Sequence, residues 1–309
     1  MGFEVRVGWS PACELVVSLQ AYTSGPHRKT LEIGGEWLRR VREAIGWPSA
    51  FDDVDHAALA PFLGALPAWL CPHAGSVEAY LGWLGDLSGG GLYELVAPYY
   101  SGCPVPADLG ARRDRCLALL ETWHTGYFAT VDQALLEGLR ADATRVASQA
   151  GLTAGVDLVE SVTGGVRLAP RDASLTVLLI PQYHYRPWNL NEGYSGLRVI
   201  MYPADIVPGQ PGEPSLALLR LTRALADENR LRILRFLAAQ PRSFTEVTRF
   251  TGLAKSTVNY HMVALRAAGL VRVHDSNDGV IAYSLRSDAL DELSVRLRQF
   301  LTTQGVQPT

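Results

Sequence analysis

The stretch Leu253–Val273, LAKSTVNYHMVALRAAGLVRV, constrains this chain more than any other. Val258, Met262, Leu265 and Ala268 recur at steps of four, three and three, the spacing that gathers side chains on one face of an α-helix. Such a stripe needs a core to cover it. Ser256, Asn259 and Tyr260, with Val263, fall on a different face beside Lys255 and Thr257, and this face carries the short hydrogen-bonding groups that reach base edges in a DNA major groove. Gly269 stands where a helix commonly ends in a left-handed residue, and Leu270–Val273 begins a strand.

Upstream, Ser243-Phe-Thr-Glu246 fits a capping box, so a short helix is predicted to run to about Phe250 with Val247 and Phe250 on its inner side. Thr251-Gly252-Leu253 then forms the tight turn of a helix-turn-helix. Downstream, Val271–Asp275 and Val280–Leu285 are predicted to pair around Gly279 as a wing, with Tyr283 and Leu285 facing inward. A helix carrying Leu218, Leu221 and Leu225 precedes the motif, Asp227 caps the next one, and Asp288–Leu301 forms the last.

Three segments in order, Leu225-Ala-Asp-Glu-Asn-Arg-Leu-Arg-Ile-Leu234, Lys255-Ser-Thr-Val-Asn-Tyr-His261 and Leu265-Arg-Ala-Ala-Gly-Leu-Val271, closely resemble bacterial winged helix-turn-helix repressors of the ArsR type. The resemblance spans about residues 215–302. It implies double-stranded DNA with an inverted-repeat operator as one partner, and a second copy of the chain, joined through the terminal helices, as another. Ala254 replaces a serine common at the start of the recognition helix, and the wing tip Asp275-Ser-Asn-Asp-Gly279 is acidic where relatives often carry arginine. Many ArsR-like repressors sense metals through cysteines on the helix before the recognition helix, or through Asp and His on the last helix. Here Phe244–Phe250 has neither Cys nor His and Asp288–Leu301 has no His, so no metal site and no cofactor are expected. From their positions, Asn259 and Tyr260 are assigned to base reading and Lys255, Arg249 and Arg272 to phosphates, with Ser256 and Thr257 also counted among the DNA-binding residues.

With 309 residues the chain is long enough for two domains that bury cores without disulfides or metal. Its charge is unevenly placed: residues from Ser215 onward carry a net +5 and residues 1–214 a net −8, as for a nucleic-acid module joined to a domain with another task. Cys13, Cys71, Cys103 and Cys116 show no Cys-x-x-Cys spacing and are expected to be reduced and mostly buried. The longest aliphatic run, Val177–Ile180, is far too short to span a bilayer, so no membrane partner is expected and a cytoplasmic location is.

Phe3, Val5 and Val7 alternate as in a strand, and Ser10-Pro11 opens a helix to about Tyr22. Helices are predicted over about 30–45, 56–70, 76–86, 91–100, 107–125 and 126–150. Short apolar segments at Val166–Ala169, Leu175–Ile180 and Leu197–Tyr202 predict one small sheet. The fold class read from this pattern is α+β and predominantly helical. An N-terminal domain of residues 1–206 is helical with a small sheet, a Pro/Gly linker spans 207–214, and a winged helix-turn-helix spans 215–309.

All seven tryptophans and ten of the twelve tyrosines lie in the N-terminal part, a density that suits either an aromatic pocket for an organic effector or a plain core. Within Pro181-Gln-Tyr-His-Tyr-Arg-Pro-Trp188, the residues Tyr183, His184, Tyr185 and Trp188 follow a buried-looking strand, where loops often carry ligand contacts, and are assigned to effector binding. Gly89-Gly90-Gly91 lacks the Gly-Lys-Ser/Thr ending of a phosphate loop. His56, His124 and His184 have no nucleophile placed by any motif, so no catalytic residue is assigned and the chain is expected not to be an enzyme. The rival reading is an enzyme of unknown reaction that uses the winged helix for protein contact.

Overall fold

A computed structural model describes residues 3–24, 30–46, 69–72, 75–99, 107–169, 175–206, 213–275 and 281–302. In chain order its elements are β1 Glu4–Val7, α1 Pro11–Thr23, α2 Gly34–Ile45, α3 Val77–Asp86, α4 Gly89–Val96, α5 Leu109–Gly126, α6 Gln133–Gln149, α7 Gly155–Thr163, β2 Val166–Leu168, β3 Thr176–Gln182, β4 Leu190–Tyr194 and β5 Leu197–Pro203. The C-terminal part continues with α8 Leu216–Leu225, α9 Glu228–Ala239, β6 Arg242–Ser243, α10 Phe244–Thr251, α11 Lys255–Ala267, β7 Val271–Asp275, β8 Ile281–Leu285 and α12 Asp288–Thr302. The fold is α+β and predominantly helical, as its sequence pattern implied. The helix predicted over 56–70 lies almost wholly outside the described residues, as do Cys103 and most of the wing tip.

The chain forms two units. One holds residues 4–150 and 174–206; the other holds residues 1–3, 151–173 and 207–309. The expected single domain of residues 1–206 is therefore corrected, because 151–173 fold with the C-terminal part.

In the first unit a four-stranded sheet has the order β1-β3-β5-β4, with β1, β3 and β5 parallel and β4 antiparallel to β5. Val177–Ile180 of β3 are buried on both faces, which is why the strand reads as a continuous aliphatic run rather than an alternation. Helix α1 starts at Pro11 behind the Ser10 cap, whose hydroxyl accepts from the Ala12 amide. It is buried almost along its whole length, Glu14 and Ser18 included, as a helix apolar on most sides must be. Trp37, Tyr80, Leu84, Leu120 and Trp123 pack in the same core. Cys13, Cys71 and Cys116 are buried, and burial pushes the Cys13 and Cys116 thiols up to about 12.

In the second unit the wing hairpin β7–β8 is extended on both sides into a sheet of order β2-β7-β8-β6. Strand β2 runs parallel to β7, with Val166 opposite Val273 and Leu168 opposite Asp275. Residues 166–169 were expected beside 175–180 and 197–202, and the structure instead gives them to the wing. Alternating apolar residues mark a strand but not its partner. Here the choice is made by Gly164 (φ +68°) and Gly165 (φ +125°), which turn the chain as α7 ends. A Cβ at Gly165 would lie 2.6 Å from the Val271 carbonyl oxygen, and the Gly165 oxygen accepts from the Val273 amide at 2.8 Å. Val247, Val258, Met262, Leu265 and Leu237 form the core of this unit, with Tyr283 and Leu285 packed against it. Leu218 and Leu221, on one of the terminal helices expected to join a second copy, are buried within the unit.

Candidate nucleic-acid interface

Helix α10 begins with a complete capping box: the Ser243 hydroxyl accepts from the Glu246 amide at 3.3 Å, and the Glu246 carboxylate accepts from the Ser243 amide at 2.8 Å. These bonds from Ser243, with Arg242 alongside, hold the Glu246 carboxyl below its ordinary pKa. The helix stops at Gly252, left-handed with φ +68°, and after the extended Ala254 α11 starts at Lys255. Ala254 gives that start no side-chain cap, as the sequence implied.

Val258, Met262 and Leu265 are buried and fix one side of α11 to the core. His261 is buried too, its Nδ1 3.7 Å from the Asp227 carboxylate that caps α9. On the free side Lys255, Ser256, Thr257 and Asn259 are exposed, and Tyr260 is 66% exposed. Arg249 on α10 is exposed as well. Six of the seven residues assigned to DNA thus stand in solvent on the two helices of the motif. Arg266 is also exposed and was missed. Its spacing of seven from Asn259, two helical turns along the same face, could have found it. Phe250, expected inside, is 42% exposed and stacks on Phe236 with ring centres 4.1 Å apart.

Arg272 departs from its assignment. Its Nε donates to the Glu160 carboxylate, its Nη1 donates to the Leu285 carbonyl at 3.1 Å, and its Nη2 lies 3.5 Å from Asp288. All three nitrogens are engaged inside the unit, which uses three of the five N–H donors and turns the guanidinium toward protein partners. Glu160 also accepts from Arg167. Burial alone would raise the Glu160 carboxyl, yet the hydrogen bonds from Arg272 and Arg167 outweigh it and hold the group below its usual pKa.

In the other unit the residues assigned to an effector are turned inward. Glu14 accepts from the Tyr183 and His184 amides and from His184 Nδ1, while His184 Nε2 meets the Tyr127 hydroxyl at 2.7 Å. That hydroxyl in turn accepts from the Trp37 indole at 2.7 Å, and burial raises its pKa to about 12. Tyr183 stacks on the Arg186 guanidinium at 4.1 Å, Tyr185 meets Ser24 at 3.4 Å, and the Trp188 indole donates to Thr30 at 3.0 Å. None of the four lines the cavity of about 380 Å³ in this unit, whose walls include Trp9, Glu78, His124, Phe128, Leu136 and Arg140. In those walls the Trp9 indole nitrogen and His124 Nδ1 are buried without a hydrogen-bond partner among the described residues.

Among the described residues no helix is long and apolar enough to cross a membrane. Residues 225–274 match the family described as a helix-turn-helix domain, which supports a DNA-binding module in the C-terminal part. No curated protein and no solved structure matches the chain.

Proposed function

We propose that this protein is a dimeric, sequence-specific transcriptional regulator of the ArsR type, a repressor that a small organic effector controls through the unit of residues 4–150 and 174–206. The observation that carries the proposal is the free face of α11. A helix anchored by Val258, Met262 and Leu265 presents Ser256, Thr257, Asn259 and Tyr260 to solvent, with Lys255, Arg249 and Arg266 around them, inside the helix-turn-helix match. Amide and hydroxyl groups read base edges, and the flanking cations meet phosphates.

The dimer reading rests on exposed apolar side chains concentrated on the first and last helices of the module: Leu216 on α8 and Leu290, Val295, Leu297 and Leu301 on α12. A two-fold axis through them sets two copies of α11 about 34 Å apart, matching an inverted repeat. For the effector, the cavity of about 380 Å³ walled by Trp9, Glu78, His124, Phe128, Leu136 and Arg140 supports the reading: it sets aromatic and aliphatic side chains beside charged and polar ones in a mainly polar lining.

A mobility-shift assay of the full chain on DNA from upstream of its own coding sequence tests the central claim. A salt-sensitive shift that random duplex competes poorly is the expected result. Absence of any shift at low salt sinks the reading and favours the rival in which the motif contacts protein.

A further inference from the structure

A carboxylate far upstream of the helix-turn-helix holds the wing together. Glu160 lies on α7, buried to 6% side-chain exposure, and its partner Arg272 lies 112 positions later on the first wing strand. From there the same guanidinium reaches the Leu285 carbonyl at the end of β8 and Asp288 in the first turn of α12. One side chain thereby ties together α7, both wing strands and the last helix. Next to it, β2 lies in parallel register on β7, where only a glycine at 165 permits so close an approach.

We propose that Glu160 is a positioning residue for DNA binding, and that residues 155–168 belong to the DNA-binding module although they fall outside the matched helix-turn-helix. This rests on the reading that α10 and α11 bind DNA. With its carboxylate in place, the Arg272 guanidinium stays folded against Leu285 and Asp288 and sets β7, β8 and the start of α12 in one arrangement around the recognition helix. Without it, a half-buried cation loses its counter-charge and turns to water, releasing the Leu285 carbonyl and Asp288. Arg272 acts inside the module and meets no phosphate.

The test is a double-mutant cycle on the full chain, with fluorescence anisotropy on the upstream duplex and on a random duplex. Glu160→Gln and Arg272→Gln are each expected to weaken operator binding roughly tenfold, and the double variant to lose little more than either single one, because both remove the same clamp. The slope of log affinity against log salt should stay unchanged in Arg272→Gln, whereas Lys255→Ala should lower it by about one, the difference between a positioning arginine and a phosphate contact. Hydrogen exchange on the same folded proteins should quicken at Val271–Asp275 in Glu160→Gln while α1 stays protected.

Additive losses in the cycle, or a salt slope that falls by one in Arg272→Gln, overturn the proposal. Tighter binding by Glu160→Gln overturns it as well, since it would mean that the acid withholds Arg272 from DNA. If the unaltered chain binds no duplex, the DNA reading itself fails and takes the DNA part of this proposal with it. Exchange at the wing then decides separately whether Glu160 holds the strand.

Discussion

The free face of α11 and the turn at 183–188 attract attention for one reason, a dense mixture of polar and aromatic side chains, and the structure uses them in opposite ways. On α11 the backbone amides from Val258 onward bond within the helix, so the Asn259 and Tyr260 side chains owe nothing to the backbone and, with Ser256, stand in solvent. At 183–188 the backbone is irregular and buried, and its amides must find partners elsewhere. Glu14 takes the Tyr183 and His184 amides, the Gln182 side-chain oxygen takes the Tyr185 amide at 2.8 Å, and the Gln182 amide group donates to the Trp188 carbonyl at 2.9 Å. Polar groups in a buried turn are therefore first of all answers to that turn's own hydrogen-bonding needs. Only those left over are free for a ligand.

The largest expected effect that follows is on stability. Glu14→Ala removes one partner of a buried acid–imidazole pair and orphans two buried amides, so it should destabilise the unit of residues 4–150 and 174–206 by roughly 3–5 kcal/mol. Urea unfolding followed by tryptophan fluorescence measures this, because all seven tryptophans lie in residues 1–206. A loss below about 1 kcal/mol would mean that the turn is held by something other than its acid, and the contrast with α11 would fail.

Asn259→Ala should do the reverse, leaving the unfolding curve in place while weakening operator DNA by about 1–3 kcal/mol and random DNA much less. Equal weakening of both duplexes would show that Asn259 does not read bases. A smaller gain is expected from Ala254→Ser. The residue is already extended, with φ −60° and ψ 145°, so a hydroxyl there can accept from the first amides of α11 and stabilise the module by about 1 kcal/mol. Calorimetry that shows no gain would mean those amides are already served.

The smallest effect concerns pH. Burial, then the neighbouring Arg167 and Arg272 charges, lower the His274 pKa from its ordinary 6.5, with Glu160 opposing in part. A folded pKa below the unfolded one favours the neutral ring, so the stabilising term is fully present above pH 6.5 and fades as pH falls through the lower, folded value. The thermal midpoint of His274→Gln should thus change less than that of the unaltered chain on acidification from pH 7. Parallel curves would remove His274 from the account of the wing.

Much of the second unit could be read from sequence because its signals are local. Ser243 and Glu246 are three residues apart, Gly252 ends α10, and the apolar stripe of α11 repeats every three or four residues. What escaped is what depends on distant partners. Nothing near Val166–Leu168 says that β7 is its neighbour, and nothing near Glu160 points to an arginine 112 positions on. Helix α7 was missed because its nine residues fall where apolar segments shorten and resemble strands. For the residues assigned to an effector the case is opposite, since their chemistry was plain in the sequence but their engagement with Glu14, Arg186, Ser24 and Thr30 was not.

The parallel pairing of β2 with β7 also sets a timetable for synthesis. About a hundred residues separate Leu168 from Val271, so at ribosomal rates of 5–20 residues per second β2 leaves the exit tunnel roughly 5–20 s before the strand it must meet. In that interval the aromatic-rich unit has all its strands once residue 203 is out, while α7 and β2 wait with an uncovered edge and with Glu160 paired to Arg167 but still without Arg272. The nascent chain is thereby given an order of assembly, with the DNA-binding unit closing last. A stalled or truncated product ending before β7 would carry a finished first unit and a strand with nothing to join.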